Sequence, residues 1–160
     1  MKKEVVIIIA EDDDGHAKLI QKNLRRSGIS NKIKHFKDGK DTLNFFFKEG
    51  KGPHRENHCS YLLLLDIKMP KIDGIEVLRK LKNDEELCKI PVIIITTTDD
   101  PNEIEICHEL GCNNYVTKPI DYDRFIEMIR RMGLFLSIVE IPKINGLEGI
   151  VNEERVISGC

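Results

Sequence analysis

The side chains of this chain that could do chemistry are carboxylates, one hydroxyl and one cation, each at the end of an apolar run. Glu11 and Asp12 open the acidic group Glu11-Asp12-Asp13-Asp14 directly after Val5 to Ala10. Asp66 ends the run Tyr61 to Leu65, Thr96 follows Val92 to Ile95, and Lys118 comes just after Asn114 to Val116. Singly these signals are weak, because an acid after a strand often caps a helix or a loop. Jointly they are specific. Three carboxylates, Glu11, Asp12 and Asp66, repel one another in one crevice unless a cation neutralises them. Hard oxygen ligands of this kind suit Mg2+. A lysine and a threonine hydroxyl beside them complete a phosphate-sized pocket, which points to phosphoryl chemistry with Asp66 as covalent acceptor.

Such a pocket requires the apolar runs to be neighbouring strands that end on one side. Tyr61 to Leu65 has no polar alternation, the pattern of a parallel strand buried on both faces. Val5 to Ala10 and Val92 to Ile95 read the same way, and Asn31 to Phe36 reads as a weaker strand towards an edge. Between them lie helical patterns. Ala17, Ile20 and Leu24 form one face up to Ser27-Gly28, and Leu43, Phe46 and Phe47 form another after Asp38-Gly39. A third helix is expected from Gly74 to about Asn83, with Ile75, Leu78 and Leu81 on its apolar side. Asp100-Pro101-Asn102-Glu103 is a helix start that carries the chain to Leu110, with Gly111 as its stop. Asp121 caps a last helix with Phe125, Ile129, Met132 and Leu136 on one face. The alternation predicts an α/β fold, a doubly wound five-stranded parallel sheet with helices on both faces. Groups at the carboxyl ends of its strands converge where such sheets bind ligands.

The 160 residues suffice for one domain with its own core. Net charge is −2, from 25 basic and 27 acidic residues, and no basic stripe marks a nucleic-acid surface. No stretch reaches membrane-span length, and the early apolar run is too short for a signal-peptide core. Five cysteines, Cys59, Cys88, Cys107, Cys112 and Cys160, lack a paired framework and read as reduced thiols of a cytoplasmic protein. His54, His58 and Cys59, like Cys107, His108 and Cys112, read as ordinary surface or core side chains rather than zinc ligands.

Over about residues 3 to 137 the chain resembles the receiver domain of two-component response regulators, the family of the chemotaxis regulator. The resemblance rests on EDDD after the first strand, LLLLDIKMPKIDG around Asp66, PVIIITTT at the fourth strand and NNYVTKP. The spacings agree as well, 30 residues from Asp66 to Thr96 and 22 from Thr96 to Lys118. It implies the flavodoxin-like strand order 2-1-3-4-5, with the first and third strands adjacent. It further implies that Asp66 accepts a phosphoryl group from the phosphohistidine of a sensor histidine kinase. Glu11, Asp12, Asp66 and the backbone carbonyl of Lys68 would hold Mg2+, Lys118 would pair with a phosphoryl oxygen, and Pro119 would follow a cis peptide bond. Thr96 and Tyr115 resemble the family's switch pair, in which the hydroxyl moves to the phosphoryl group and the aromatic ring swings inward behind it. Asp13 and Asp14 fall outside the matched pair and read as a helix cap and a solvated neighbour.

The resemblance makes residues 1–137 the receiver domain and leaves 138–160 as an extension. That extension is rich in Ile, Val and Leu but interrupted by Pro142, Gly146, Gly149 and Gly159, so it is expected to be partly ordered or to contact a second subunit in a homodimer. It is too short for a DNA-binding or enzymatic output domain, so output is expected through a protein target. The Glu-Asp pair, the long loop Glu49 to Ser60 and LFLSIVEIP are most similar to stand-alone regulators associated with bacterial phytochromes, which implies a phytochrome-like kinase as partner. Lys68 and Thr98 stand two residues after Asp66 and Thr96, where the family tunes dephosphorylation. Two other classes remain to be weighed. A dehalogenase-type phosphatase needs an acid two residues after its nucleophile, where this chain has Lys68. A phosphorylation-independent interaction or dimerisation module would be expected to have lost one of Asp66, Thr96 or Lys118. The expectation is a phosphoacceptor signalling protein with self-catalysed phosphotransfer and autodephosphorylation, not a turnover enzyme.

Overall fold

A computed structural model describes residues 4–118, 121, 123–124, 127–128, 131 and 141–146. Strands β1 (Val5–Ala10), β2 (Ile33–Phe36), β3 (Cys59–Leu65), β4 (Val92–Thr96) and β5 (Asn114–Thr117) pair in parallel in the order β2-β1-β3-β4-β5. Helices α1 (Asp14–Arg26), α2 (Gly39–Phe47), α3 (Gly74–Lys82) and α4 (Pro101–Leu110) connect them. A short sixth strand, β6 (Lys143–Ile144), runs antiparallel to the start of β3.

The unbroken apolar runs follow from two-sided burial. Ile7, Ile9, Leu62 and Leu64 face Ala17, Ile20 and Leu24 of α1. Ile8, Leu63 and Leu65 point the other way, into a layer with Leu43 and Phe45 of α2, Leu78 and Leu81 of α3 and Cys107 of α4. Successive strand residues alternate between the two layers, so neither set is free to be polar.

Helix ends follow their side chains. Asp13, Asp38, Asp73 and Asp100 each accept a hydrogen bond from a backbone N–H in the following first turn, and Gly111 closes α4 in the left-handed region at φ 98°. Asp13 is thus the cap expected for it, while Asp14 lies exposed 3.1 Å from Lys37 Nζ.

Three local features differ from the sequence reading. The apolar side of α2 uses Phe45 and Phe46, and Phe47 is only half-buried. The helix stops at Phe47, leaving that ring at the rim, whereas Phe45 packs 5.1 Å from the Phe36 ring and 5.7 Å from Tyr61. The long loop Glu49 to Ser60, polar in its sequence, is anchored by a buried side chain. Arg55 is buried, its Nε donating to Phe46 O at 2.8 Å and its NH2 to Asn145 O at 3.0 Å. Burial lowers its pKa from the ordinary arginine value. Lastly, β3 begins at Cys59 because Ile144 and Lys143 pair with Cys59 and Ser60. Ile141 and Ile144 are both buried, and Ser60 Oγ donates to Ile141 O at 3.0 Å.

Among the described cysteines, Cys59, Cys107 and Cys112 carry free thiols. Asp121 accepts from Arg124 N–H at 2.8 Å, as a cap does. Phe125, Ile129, Met132, Leu136 and the Pro119 peptide bond lie outside the described residues.

Candidate functional site

The register of the two central strands brings the acids together. Ala10 pairs with Leu65, so the residues that follow, Glu11 and Asp66, leave the sheet side by side. Asp66 N–H donates to Ala10 O at 2.9 Å, and Glu11 N–H donates to Phe36 O at 3.0 Å. The ring of His35 adds a third tie, its Nε2 lying 2.7 Å from Glu11 O. Ligand oxygens of Glu11, Asp12 and Asp66 fall within 4.8 Å of one another; among the described residues no other trio of His, Cys, Asp or Glu does so. Glu11 and Asp66 are buried while Asp12 is exposed at the mouth.

The turn after Asp66 is tightly folded. Ile67 O accepts from both Met69 N–H at 3.1 Å and Gly74 N–H at 2.8 Å. A Cβ at residue 74 would sit 2.2 Å from Asp66 O, so only glycine lets α3 start there. Lys68 has an exposed side chain, and its backbone N–H lies 3.3 Å from Asp66 Oδ1. Lys71, in the left-handed region at φ 67°, places its Nζ 3.2 Å from Asp38 Oδ2, tying the turn to the cap of α2.

From the other side, β4 and β5 supply the hydroxyl and the cation. Thr96 is fully buried, and its carbonyl accepts from Lys118 N–H at 2.6 Å. This directs Lys118 across the pocket, where Nζ lies 2.7 Å from Glu11 Oε2 and 3.6 Å from Asp66 Oδ2. Tyr115 OH donates to Thr98 O at 2.7 Å, joining β5 to the segment between β4 and α4. Burial, reinforced by Cys107, Glu103, Asp100 and Asp99, pushes the Tyr115 phenol up to about 12.

The structure brings Glu11, Asp12, Asp66 and Lys118 together, whereas Thr96 Oγ1 lies 3.5 Å from Thr98 N and Tyr115 reaches Thr98 O. Two residues were not singled out from sequence: His35, and His16, whose Nδ1 is 3.3 Å from Lys118 Nζ. Neither belongs to a spacing motif; His16 could have been found only by following the cap at Asp13 into the first turn of α1.

Electrostatically the pocket is short of positive charge. Burial raises the pKa of Glu11 above its ordinary value of 4.5, the Lys118 hydrogen bond opposes this, and neighbouring Asp66 adds to it. The acids thus fit a divalent cation on their own chemistry: all-oxygen donors, two of the three buried, and incompletely neutralised. With such an ion beside Lys118, the crevice would carry the positive charge to hold an anion near an Asp66 oxygen.

Known proteins share this sequence pattern and fold. Residues 7–130 match the response regulator receiver domain family. The response regulator Rcp1 of Synechocystis is 30% identical over 138 residues, aligning 86% of this chain with 92% of that protein. The structure of its Mn2+-bound form superposes with a TM-score of 0.72. A response regulator receiver domain from Rhodospirillum rubrum is 42% identical, with a TM-score of 0.76 over 88% of this chain and 99% of that one. The phosphorylated cyanobacterial phytochrome response regulator RcpA is 29% identical, with a TM-score of 0.73 over 86% of this chain and 97% of that one.

Proposed function

The chain belongs to the response regulator receiver family, and we propose that it is a single-domain regulator of a two-component phosphorelay, phosphorylated on Asp66 by a sensor histidine kinase. The observation that carries this is the meeting of Asp66 with Lys118, 3.6 Å apart, beside the acidic pair of β1. An Asp66 oxygen attacks phosphorus, a P–O bond forms as the P–N bond of the donor phosphohistidine breaks, and the imidazole leaves with the electron pair. Glu11, Asp12, Asp66 and the Lys68 carbonyl would hold Mg2+, which supplies charge neutralisation at the phosphoryl oxygens. Lys118 turns from Glu11 towards one phosphoryl oxygen, and the Thr96 hydroxyl serves another. Lys68 and Thr98, two residues after the acceptor and the hydroxyl, set how fast water hydrolyses the aspartyl phosphate to Asp66 and inorganic phosphate.

Thr96 and Tyr115 act as the switch. The Tyr115–Thr98 hydrogen bond couples the ring to the segment that follows Thr96, so a shift of the hydroxyl biases the surface of α4 and β5. That surface binds a downstream protein. Residues 1–137 form the receiver, and 138–160 form an extension that is partly ordered or contacts a second subunit. The kinase is phytochrome-like, by similarity to the cyanobacterial phytochrome response regulator RcpA, and the setting is the cytoplasm.

The test is intact-protein mass after incubation with acetyl phosphate and Mg2+. A single phosphoryl adduct that requires Mg2+ and is lost in Asp66→Ala is expected. A folded protein that takes no adduct from any donor would instead be a phosphorylation-independent interaction module.

A further inference from the structure

We infer that His16 is a positioning residue for Lys118, its Nδ1 accepting a hydrogen bond from the ammonium. The inference rests on the phosphoacceptor reading above. Asp13 fixes His16 on the first turn of α1, its Oδ1 accepting from His16 N–H at 2.9 Å. From there Nδ1 reaches 3.3 Å from Lys118 Nζ and 3.6 Å from Glu11 Oε1. Only the first separation is a hydrogen bond. An ammonium can only donate, so Nδ1 must be the acceptor and the ring proton must sit on Nε2.

The consequence lies in how the cation is shared. Glu11 Oε2 holds Lys118 at 2.7 Å, while Asp66 Oδ2 is 3.6 Å away. Glu11 already holds the ammonium at full contact, so what a further partner changes is how completely the ammonium is committed to that acid when Asp66 needs it. His16 gives the ammonium a second partner without adding negative charge. Its side chain is 47% exposed, so it forms the rim of the crevice rather than part of the core. Lys118 is thereby held at the mouth, between the acid it rests on and the acceptor it must serve.

The test compares full-length wild type, His16→Ala and His16→Asn, whose Oδ1 replaces Nδ1. Labelling of Asp66 by acetyl phosphate is followed across Mg2+ concentrations. Ala should slow labelling roughly three- to tenfold, the worth of one hydrogen bond, and raise the Mg2+ concentration for half-maximal labelling. Asn should recover most of both. In parallel, the imidazole 15N resonances of the unphosphorylated protein should show His16 in its Nε2–H form, with Nδ1 shifting in Lys118→Met. An Ala variant that labels like wild type, an Asn variant as slow as Ala, or an Nδ1 resonance indifferent to Lys118 overturns the inference. A wild type that takes no label overturns the phosphoacceptor reading itself, while the Nδ1 resonance still decides whether His16 holds Lys118.

Discussion

Lys118 Nζ lies 2.7 Å from Glu11 Oε2 and 3.6 Å from Asp66 Oδ2, so the ammonium rests on the acid that follows β1 and not on the acceptor that follows β3. Its role is then to transfer its charge when a phosphoryl group arrives. Lys118→Met should leave the fold intact and lower the rate of Asp66 labelling by about a hundredfold, the usual loss for one preorganised donor. Stopped-flow or mass-resolved labelling with acetyl phosphate measures it.

Glu11 should make stability depend on pH in a particular direction. Its folded pKa is raised above 4.5, chiefly by burial, so the folded state binds its proton more tightly than the unfolded chain does. This contribution is fully present below the unfolded pKa and is lost as pH rises through the folded one. In chelator, Tm should therefore fall as pH rises through that window. Mg2+ should restore it at neutral pH, and Glu11→Gln should flatten both responses. Thermal melts across pH, with chelator and with Mg2+, decide this.

Gly74→Ala should damage the acceptor turn. The new Cβ would fall 2.2 Å from Asp66 O, a backbone atom that cannot move aside without shifting the acceptor itself. A loss of about 2 kcal/mol or more is expected from urea unfolding, as for an overpacked core site.

Tyr115→Phe removes the hydrogen bond to Thr98 O but keeps the ring. Stability should drop by about 1 kcal/mol, with little effect on the labelling rate of Asp66. Equal losses in labelling and stability would place Tyr115 in the phosphorylation step instead of behind it.

Ile144 tests the extension. It is fully buried and its strand lengthens β3 at Cys59 and Ser60. Ile144→Ala should cost about 2–4 kcal/mol in urea unfolding, the range for emptying a core site. A solvated linker would lose nothing.

Much of this was legible in the sequence because local rules and burial coincide. Runs such as Leu62 to Leu65 can be apolar throughout only where both faces are covered, and Asp13, Asp38, Asp73 and Asp100 announce their helices through a backbone bond a few residues away. The acids, Thr96 and Lys118 stood out because each closes or follows such a run. What only the tertiary structure decided are relations between residues distant in the chain. Lys118 and Glu11 are 107 positions apart, and nothing in either segment says that the ammonium prefers Glu11 to Asp66. The same holds for Arg55, whose charge reads as solvated until Phe46 O and Asn145 O enclose it, and for β6, too short to carry a period of its own. Propensity and periodicity act within a few residues, whereas the sharing of one cation among His16, Glu11 and Asp66 depends on where three loops end once the sheet has closed.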